Sequence, residues 1–355
     1  MSQENQNIQE EPHKRRVRYK GKYPKNYKEK YKELNPEKYQ DTIEKVIRKG
    51  STPAGMHISI MVKEIIEFLQ IKPGQTGFDA TLGYGGHTRA MLECLKGQGH
   101  MYATDVDPIE SAKTKKRLAE AGFGEDILTI KLQNFCTIDE IAKEAGGFDF
   151  VLADLGVSSM QIDNPDRGFS FKVDGPLDLR LNPEKGISAA ERLAGIGEEE
   201  LAGMLWENSD EPYAEELAHA IVTEIKHGKP IETTTRLREV IEETLSFLPE
   251  KERKDTVKKT CQRTFQALRI DVNNEFEVLY EFMEKLPGAL KPGGRAAILT
   301  FHSGEDKLVK KALKQGYKEG IYSEIANDVV RPSAEECAQN GRARSTKMRW
   351  AVRAE

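Results

Sequence analysis

The strongest constraint on the fold is an alternation of strand-like and helical patterns between residues 61 and 155. The short apolar runs typical of strands are Gly77–Ala80, His100–Asp105, Ile127–Leu132 and Phe148–Leu155. Segments with the apolar spacing of helices precede and separate them. Because strands that alternate with helices form parallel sheets covered on both faces, the sequence predicts an α/β fold with a doubly wound, mostly parallel sheet.

The alternation stops after Ser158. Residues 163–187 are rich in Asp, Gly and Pro, and only helical patterns follow up to about residue 270. They are Ala189–Leu193, Glu198–Glu207, Ala214–His227, Thr235–Phe247 and roughly Arg263–Ile270. A strand pattern returns at Arg295–Phe301, and Ser345–Val352 is a further candidate. We therefore predict a main domain of residues 49–174 and 271–355, interrupted by a helical insert of residues 175–270.

Residues 1–48 form a basic arm that we expect to be disordered. Ten Lys or Arg stand between residues 13 and 32 against one acid, Glu29, and four tyrosines are interleaved with them. Beyond residue 50 the chain has 40 Lys and Arg against 50 Asp and Glu. Since cations meet phosphates and aromatic rings stack on bases, the arm indicates a nucleic-acid partner. A solvated tail without a specific target is the alternative.

The composition also argues against several classes of protein. No run of about 18 apolar residues is present, and the first residues lack the apolar core of a secretion signal. The four cysteines form no CxxC pair and lie far apart in the chain, at Cys94, Cys136, Cys261 and Cys337. We therefore expect a cytoplasmic protein with no membrane contact, no disulfide framework and no bound metal.

A glycine-rich turn, DATLGYGGH, runs from Asp79 to His87 directly after an apolar strand pattern. Glycines let a backbone turn tightly and approach a ligand, and the free N–H groups of the helix that follows can bind an anionic group. A plain tight turn is the alternative. The dinucleotide motif GxGxxG fails because Thr88 occupies its third glycine position, which disfavours an NAD enzyme.

Acidic residues stand at the ends of several predicted strands. Asp105 follows the glycines by about twenty residues, where a carboxylate can accept hydrogen bonds from the ribose hydroxyls of an adenosine cofactor. Helix capping is the alternative role, although Asp107 suits it better. Asp79 and Asp154 end two further strands, and we expect all three acids to line one crevice, with a structural ion pair as the alternative for Asp154.

A helix, the motif LKPGG at residues 290–294 and a strand follow one another near the end of the chain. This order resembles the approach to the fifth strand of class I methyltransferases. His302 follows that strand, is expected beside the same crevice and is a candidate contact of the substrate. An ordinary hydrogen-bonded loop histidine is the alternative.

Taken in order, these motifs resemble the bacterial small-subunit (16S) rRNA cytosine-N4 methyltransferase family, the MraW/RsmH type. The matching stretches are DATLGYGGH (79–87), DLGVSSMQID (154–163), RGFSFKVDGPLDLR (167–180), FQALRIDVN (265–273), LKPGGRAAILTFHSGEDKLVK (290–310) and NGRARSTKMR (340–349). They span about 300 residues, and the long block at 167–180 is far more specific than the glycine turn. A paralogue with an added basic arm fits the pattern.

The resemblance implies a class I, Rossmann-like methyltransferase domain that uses S-adenosyl-L-methionine, with an inserted helical domain that helps to hold RNA. It implies cofactor contacts at Gly85, Gly86, His87, Asp105, Phe135, Asp154 and Gln161. It further implies that the acceptor is a decoding-region cytidine of 16S rRNA, met as RNA or in the small ribosomal subunit. The oligomeric state stays open, a dimer included.

The chain departs from the family pattern mainly in the insert. Glu215 and Glu216 stand where the family has basic residues, KTCQR at 259–263 replaces HPATR, and Gly304 replaces a leucine. The sequence therefore supports the cofactor site better than the RNA contacts.

We hypothesise that Asp154, or the backbone carbonyl of Leu155, accepts a hydrogen bond from the target amine. A single-stranded or flipped-out base could stack on Phe169 or Phe171, for which core packing is the alternative. Asp178 and Arg180 are candidates for positioning the substrate, with an internal ion pair as the alternative.

Two other functions remain open at this point. One is a methyltransferase that acts on a different RNA or another amine, and the other is a non-catalytic RNA-binding assembly factor of the same fold.

Overall fold

A computed structural model describes residues 59–355; the basic arm and residues 49–58 lie outside this range. Within it, one sheet contains the strands β1 (Thr76–Asp79), β2 (His100–Asp105), β3 (Leu128–Leu132), β4 (Phe148–Asp154), β5 (Leu290–Thr300), β6 (Tyr322–Ile325) and β7 (Lys347–Arg353). Their order is β3-β2-β1-β4-β5-β7-β6. The first five strands pair in parallel, and β7 is antiparallel to both of its neighbours. The predicted class I, Rossmann-like architecture is confirmed.

Helices cover both faces of this sheet. They are α1 (Val62–Leu69), α2 (Gly86–Leu95), α3 (Pro108–Glu120), α4 (Ile138–Ala145), α11 (Glu275–Ala289) and α12 (Ser303–Lys318). Two short helices, α5 (Ser159–Asp163) and α13 (Ala334–Gln339), lie outside these layers. Successive residues of β4 enter different apolar clusters: Phe150 packs with Met91 and Met101, and Val151 belongs to the cluster of Phe78 and Phe282. Because both of its faces are buried, β4 is apolar almost throughout.

Five helices between β4 and β5 pack around an apolar cluster of their own. They are α6 (Ala189–Gly195), α7 (Glu198–Ser209), α8 (Ala214–Lys226), α9 (Thr234–Thr244) and α10 (Glu250–Asn273). The sequence predicted only roughly Arg263–Ile270 of the 24-residue helix α10. That prediction was wrong at the start of the helix, because Val257 is the one apolar side chain in its first eleven residues.

The LKPGG motif forms an irregular start to β5. Phe148 pairs with Leu290, whereas Phe150 pairs with Arg295, so residues 291–294 leave the ladder. Pro292 has no N–H to donate, and Gly293 has a φ of 72°, which favours glycine. The strand therefore begins earlier than predicted. No helix in residues 59–355 is both long and apolar enough to cross a membrane.

Candidate active site

A cavity of about 410 Å³ lies at the carboxyl ends of β1, β2, β4 and β5. Ligands of open α/β sheets bind at this edge. The glycine turn, Asp105 and Asp154 line one part of the cavity, as the sequence predicted. Gln266 and Arg269 of α10 line another part, so the insert contributes to the wall.

The glycine turn is fixed by its contacts with β2 and α3. Gly85 has a φ of 84°, and a Cβ there would lie 2.7 Å from the methyl carbon of Thr114. The Thr114 hydroxyl donates to the Gly83 carbonyl at 2.6 Å, and the Gly83 N–H donates to Asp105 at 2.9 Å. Gly85, Gly86 and His87 line the cavity where α2 begins. The backbone N–H groups of this first helical turn have no partners within the helix and are suited to an anionic group.

Asp105 stands at the end of β2, in the cavity wall. Its carboxylate accepts backbone N–H bonds from Gly83 and Asp107, both at 2.9 Å. Burial raises the pKa of Asp105 to about 6, and these two hydrogen bonds oppose the rise. The carboxylate is therefore held in a fixed position and is ionised at neutral pH.

Asp107, two residues further on, is fully buried and caps α3 as predicted, accepting from the N–H groups of Ile109 and Glu110. It also accepts from the Arg167 guanidinium at 2.6 Å and from the Gln161 amide at 3.0 Å. This role of Arg167 could not be predicted from the sequence. Arg167 does begin RGFSF, a stretch that matches the family pattern, but nothing in the sequence indicated its partner.

The guanidinium of Arg167 also contacts the segment that leads into the insert. Arg167 donates to the carbonyls of Arg180 and Leu181 at 3.0 and 2.8 Å. The Leu181 N–H donates to Asn273 of α10 at 2.7 Å, and the Asn273 amide donates to the Leu179 carbonyl at 2.8 Å. A continuous set of hydrogen bonds therefore joins the loop of Asp105 to the insert.

Asp154 ends β4 beside His87. Nδ1 of His87 lies 3.4 Å from Oδ2 of Asp154, and its Nε2 lies 2.8 Å from the Ile60 carbonyl oxygen. Burial alone lowers the pKa of His87, but the hydrogen bond and charge of Asp154 outweigh it and raise the pKa to about 9. His87 is therefore protonated at neutral pH. Oδ1 of Asp154 is buried, and no group in residues 59–355 donates a hydrogen bond to it.

Asp79 does not line the cavity, so the prediction of three acids in one crevice holds for Asp105 and Asp154 only. Asp79 is fully buried and accepts from the Thr88 hydroxyl at 2.6 Å and the Thr81 N–H at 3.0 Å. Burial raises its pKa. Its hydrogen bonds to Thr81 and Thr88 hold the two ends of the glycine turn in place.

The other predicted cofactor contacts, Phe135 and Gln161, also line the cavity, as does Leu155, whose carbonyl is the alternative acceptor for the target amine. Phe135 packs edge-on against Phe282, with ring centroids 5.2 Å apart. The side chain of Gln161 is already engaged, because it accepts from the Ser158 N–H and donates to Asp107. It therefore shapes the wall mainly by holding its neighbours.

Four residues predicted to meet the substrate lie away from this cavity. Phe169 is buried in the apolar cluster of the insert, and Phe171 packs against that cluster, 5.6 Å from the Phe265 ring. Asp178 and Arg180 pair with each other at 2.7 Å. Core packing and an internal ion pair, the alternatives considered from the sequence, describe these side chains, and none of the four lines the cavity.

His302 lies in the cavity wall beyond β5, as predicted. It adjoins three charged residues that the sequence analysis had not selected: Arg269, Glu275 and Glu305. Glu275, His302 and Glu305 bring atoms of the kind that bind metals within 4.8 Å of one another. Both oxygens of Glu275 already accept from Arg269, each at 2.8 Å.

Known proteins resemble this chain over most of its length. Residues 54–354 match a family model described as the MraW methylase family. A ribosomal RNA small subunit methyltransferase H 1 of Agathobacter rectalis is 84% identical over 347 residues, covering 98% of this chain and 99% of that protein. A ribosomal RNA small subunit methyltransferase H of Thioalkalivibrio sulfidiphilus is 38% identical over 320 residues, covering 85% of this chain and 98% of that protein.

A solved SAM-dependent O-methyltransferase of Thermotoga maritima is 12% identical, with a TM-score of 0.39, and the match covers 88% of this chain and 71% of that one. The family match and the identity to the two relatives agree with the motifs and with the cavity described above. The chain belongs to the MraW methylase family.

Proposed function

We propose that this protein transfers a methyl group from S-adenosylmethionine to the exocyclic N4 amine of a cytidine in the decoding region of 16S rRNA. The relatives named as small-subunit rRNA methyltransferases support the class of substrate. The observation that carries the proposal is the buried Oδ1 of Asp154, which lacks a donor in the described part of the chain and lies in the same cavity as the glycine turn.

An amine is the kind of group that this oxygen can accept from. The lone pair of the cytosine amine is delocalised into the ring, so the amine is a poor nucleophile. A hydrogen bond from the amine to Asp154, or to the Leu155 carbonyl, favours a pyramidal nitrogen and fixes its direction. Protonated His87 beside Oδ2 orients the Asp154 carboxylate, so that Oδ1 is left for the substrate.

The residues of the cavity fit the cofactor that the family resemblance implies. Asp105 would accept from the ribose hydroxyls, and the N–H groups of the turn at Gly85 and Gly86 would face the methionine portion. Phe135 offers an apolar surface nearby. When bound, S-adenosylmethionine supplies an electrophilic methyl group on a sulfonium.

The insert is proposed to hold the RNA. Helix α10 belongs to the insert and also contributes Gln266 and Arg269 to the cavity wall, so RNA bound to the insert would be close to the reacting group. The exposed Glu215 and Glu216 on α8 lie at positions where the family has basic residues. They favour a mode of RNA binding that does not use this part of α8. The basic arm is the candidate for additional phosphate contacts.

Mass mapping of 16S rRNA from cells with and without the protein tests the proposal, since one decoding-region cytidine should lose a single methyl group in the deletion strain. Labelled methyl transfer to undermethylated small subunits, DNA and protein, compared side by side, distinguishes other acceptors. RNA binding without methyl transfer in the presence of cofactor would instead favour an assembly factor.

A further inference from the structure

His302 belongs to a second polar region of the cavity wall, adjacent to the proposed reaction centre. In the sheet, Asp154 of β4 pairs with Leu299 of β5, so His302 follows that partner by three residues. The two strand ends are in close contact, because a Cβ on Gly156 would lie 3.6 Å from the Phe301 ring. Both Asp154 and His302 line the cavity.

The imidazole of His302 is nearly buried, and the Glu305 carboxylate is the polar group beside it. The His302 side chain is 11% exposed, and neither ring nitrogen has a hydrogen-bond partner of good geometry among the described residues. Its ring packs against Phe276, with centroids 5.8 Å apart. Buried polar groups are rarely left unpaired, and Glu305 can engage only one of the two ring nitrogens, so the other nitrogen indicates a ligand in the cavity.

Glu305 provides a negative charge directly beside this ring. Oε1 of Glu305 lies 3.2 Å from Nε2 of His302, and its Oε2 accepts from the Phe301 N–H at 2.8 Å. Burial on its own raises the pKa of Glu305, but His302, Arg269 and the Phe301 N–H outweigh burial and lower it. A fixed carboxylate at this position orients an imidazole and stabilises the imidazolium that forms when it takes a proton.

The remaining charged groups around His302 balance each other. Arg269 of α10 and Glu275 at the start of α11 form a two-point ion pair, with both N–O distances 2.8 Å. Because this pair engages both oxygens of Glu275, a cation would have to displace a guanidinium to bind there. The arrangement fits a proton acceptor better than a metal centre.

From these observations we propose that His302, oriented by Glu305, is the base that takes the proton released from the acceptor amine. The proposal rests on the proposed function and extends it. Methyl transfer forms the N–CH₃ bond, and the electron pair of the broken S–CH₃ bond stays on sulfur. The nitrogen then carries an extra proton, its N–H bond breaks with the electron pair left on nitrogen, and the proton moves to His302.

The test measures single-turnover methylation of undermethylated small subunits at saturating protein and cofactor, across pH, for the native chain, H302A, E305Q and H100N. We expect H302A to be slower by roughly 100-fold or more and to lose the acid limb of the native profile. Added imidazole should restore part of its rate. The rate of E305Q should lie between the rates of the native chain and H302A, because Gln keeps the acceptor for the Phe301 N–H but not the negative charge.

His100 is the matched control, because it lies at the start of β2, at the opposite edge of the sheet, where its side chain bonds to Thr129 at 2.8 Å. H100N should behave like the native chain. Equilibrium binding of the cofactor and of the subunits should be unchanged within about threefold in H302A, which distinguishes a chemical role from a structural one.

A native rate and pH profile in H302A would overturn the proposal and leave the proposed function intact. Binding of Mn²⁺ by the native protein, lost in H302A, would also overturn it, in favour of a cation site. If the native chain transfers no methyl group to small subunits, the failure is that of the proposed function.

Discussion

The guanidinium of Arg167 donates a 2.6 Å hydrogen bond to the fully buried carboxylate of Asp107, across 60 residues of sequence. Asp107 is bonded through its N–H to Asp105, and Arg167 also reaches the backbone of Arg180 and Leu181. One buried ion pair therefore joins the acid proposed to bind ribose to the segment that leads into the insert.

Replacement of Arg167 by Met should destabilise the protein by about 3–5 kcal/mol, because it leaves the Asp107 carboxylate buried without its cation. Urea unfolding followed by circular dichroism measures this change. Cofactor affinity should fall as well, since the loop of Asp105 loses its support.

The matched control is Lys115→Met, which removes an exposed ion pair with Glu125 on the outer side of α3. Exposed pairs contribute little, so its unfolding midpoint should not move. Equal midpoints for the Arg167 variant and the native chain would contradict the assigned role of the buried pair.

Replacement of Asp105 by Asn should weaken cofactor binding by roughly 10- to 100-fold, through the loss of charge-assisted hydrogen bonds to the ribose. In the native chain the Asp105 pKa of about 6 also sets a pH dependence. Below pH 6 the carboxylate becomes protonated, and the affinity should fall by about tenfold for each further pH unit.

Isothermal titration with S-adenosylmethionine between pH 5 and 8 checks both expectations. The Asn variant should show a flat profile over this range. The unliganded protein should follow the opposite trend: since burial raises the pKa above its ordinary 3.8, this group costs stability as pH rises from about 4 to 6. An affinity that does not change between pH 5 and 7 would exclude Asp105 as a ribose ligand.

The pair of His87 and Asp154 should make stability depend on pH on the alkaline side. The pKa of His87 is raised from 6.5 to about 9, so its contribution is complete below pH 6.5 and is lost as pH rises through 9. Melting temperatures at pH 6.5 and 9.5 should therefore differ more for the native chain than for His87→Gln.

The exposed His227 at the end of α8 supplies the control, because His227→Gln removes a histidine that faces solvent. The melting temperature of His227→Gln should depend on pH in the same way as that of the native chain. An unchanged slope in His87→Gln would show that the pair is not ionised as described.

Replacement of Asp154 by Asn should lower the single-turnover methylation rate by roughly 100-fold or more, because an amide is a weaker acceptor for the amine than a carboxylate. Binding of the small subunit should be unaffected. A variant with the native rate would remove Asp154 from the chemistry.

Deletion of residues 1–45 should weaken RNA binding and reduce the slope of log K against log salt, since each lost phosphate contact removes about 0.7–0.9 from that slope. Cofactor affinity should stay the same, because the cofactor contacts that the family resemblance implies all lie at Gly85 or beyond it. An unchanged salt slope would show that the arm does not touch RNA.

Much of the sheet could be predicted from the sequence because local patterns determine it. Each strand from β1 to β4 is a short apolar run with a turn on either side, and β1, β2 and β4 each end in an acid, whose place follows from the direction of the strand. The positions of Asp105 and Asp154 in one cavity could be inferred in this way, since parallel strands end at one edge.

The remaining features depend on contacts between distant residues. Nothing near Arg167 in the sequence indicates Asp107, and nothing near Phe169 indicates whether it meets a base or the core of the insert. The predicted length of helix α10 was too short, because the first half of the helix is charged and has little apolar spacing. The cluster around His302 was only partly foreseen, since its members come from three different helices.

Helix α10 begins in the insert and ends beside the cavity, and this continuity limits how the protein can change in evolution. A helix of 24 residues is about 36 Å long, and one added residue would turn everything beyond it by about 100°. Gln266 and Arg269 would then leave the cavity wall. Related chains can therefore vary the lengths of the loops in the insert more readily than the length of this helix, because its far end forms part of the cavity wall.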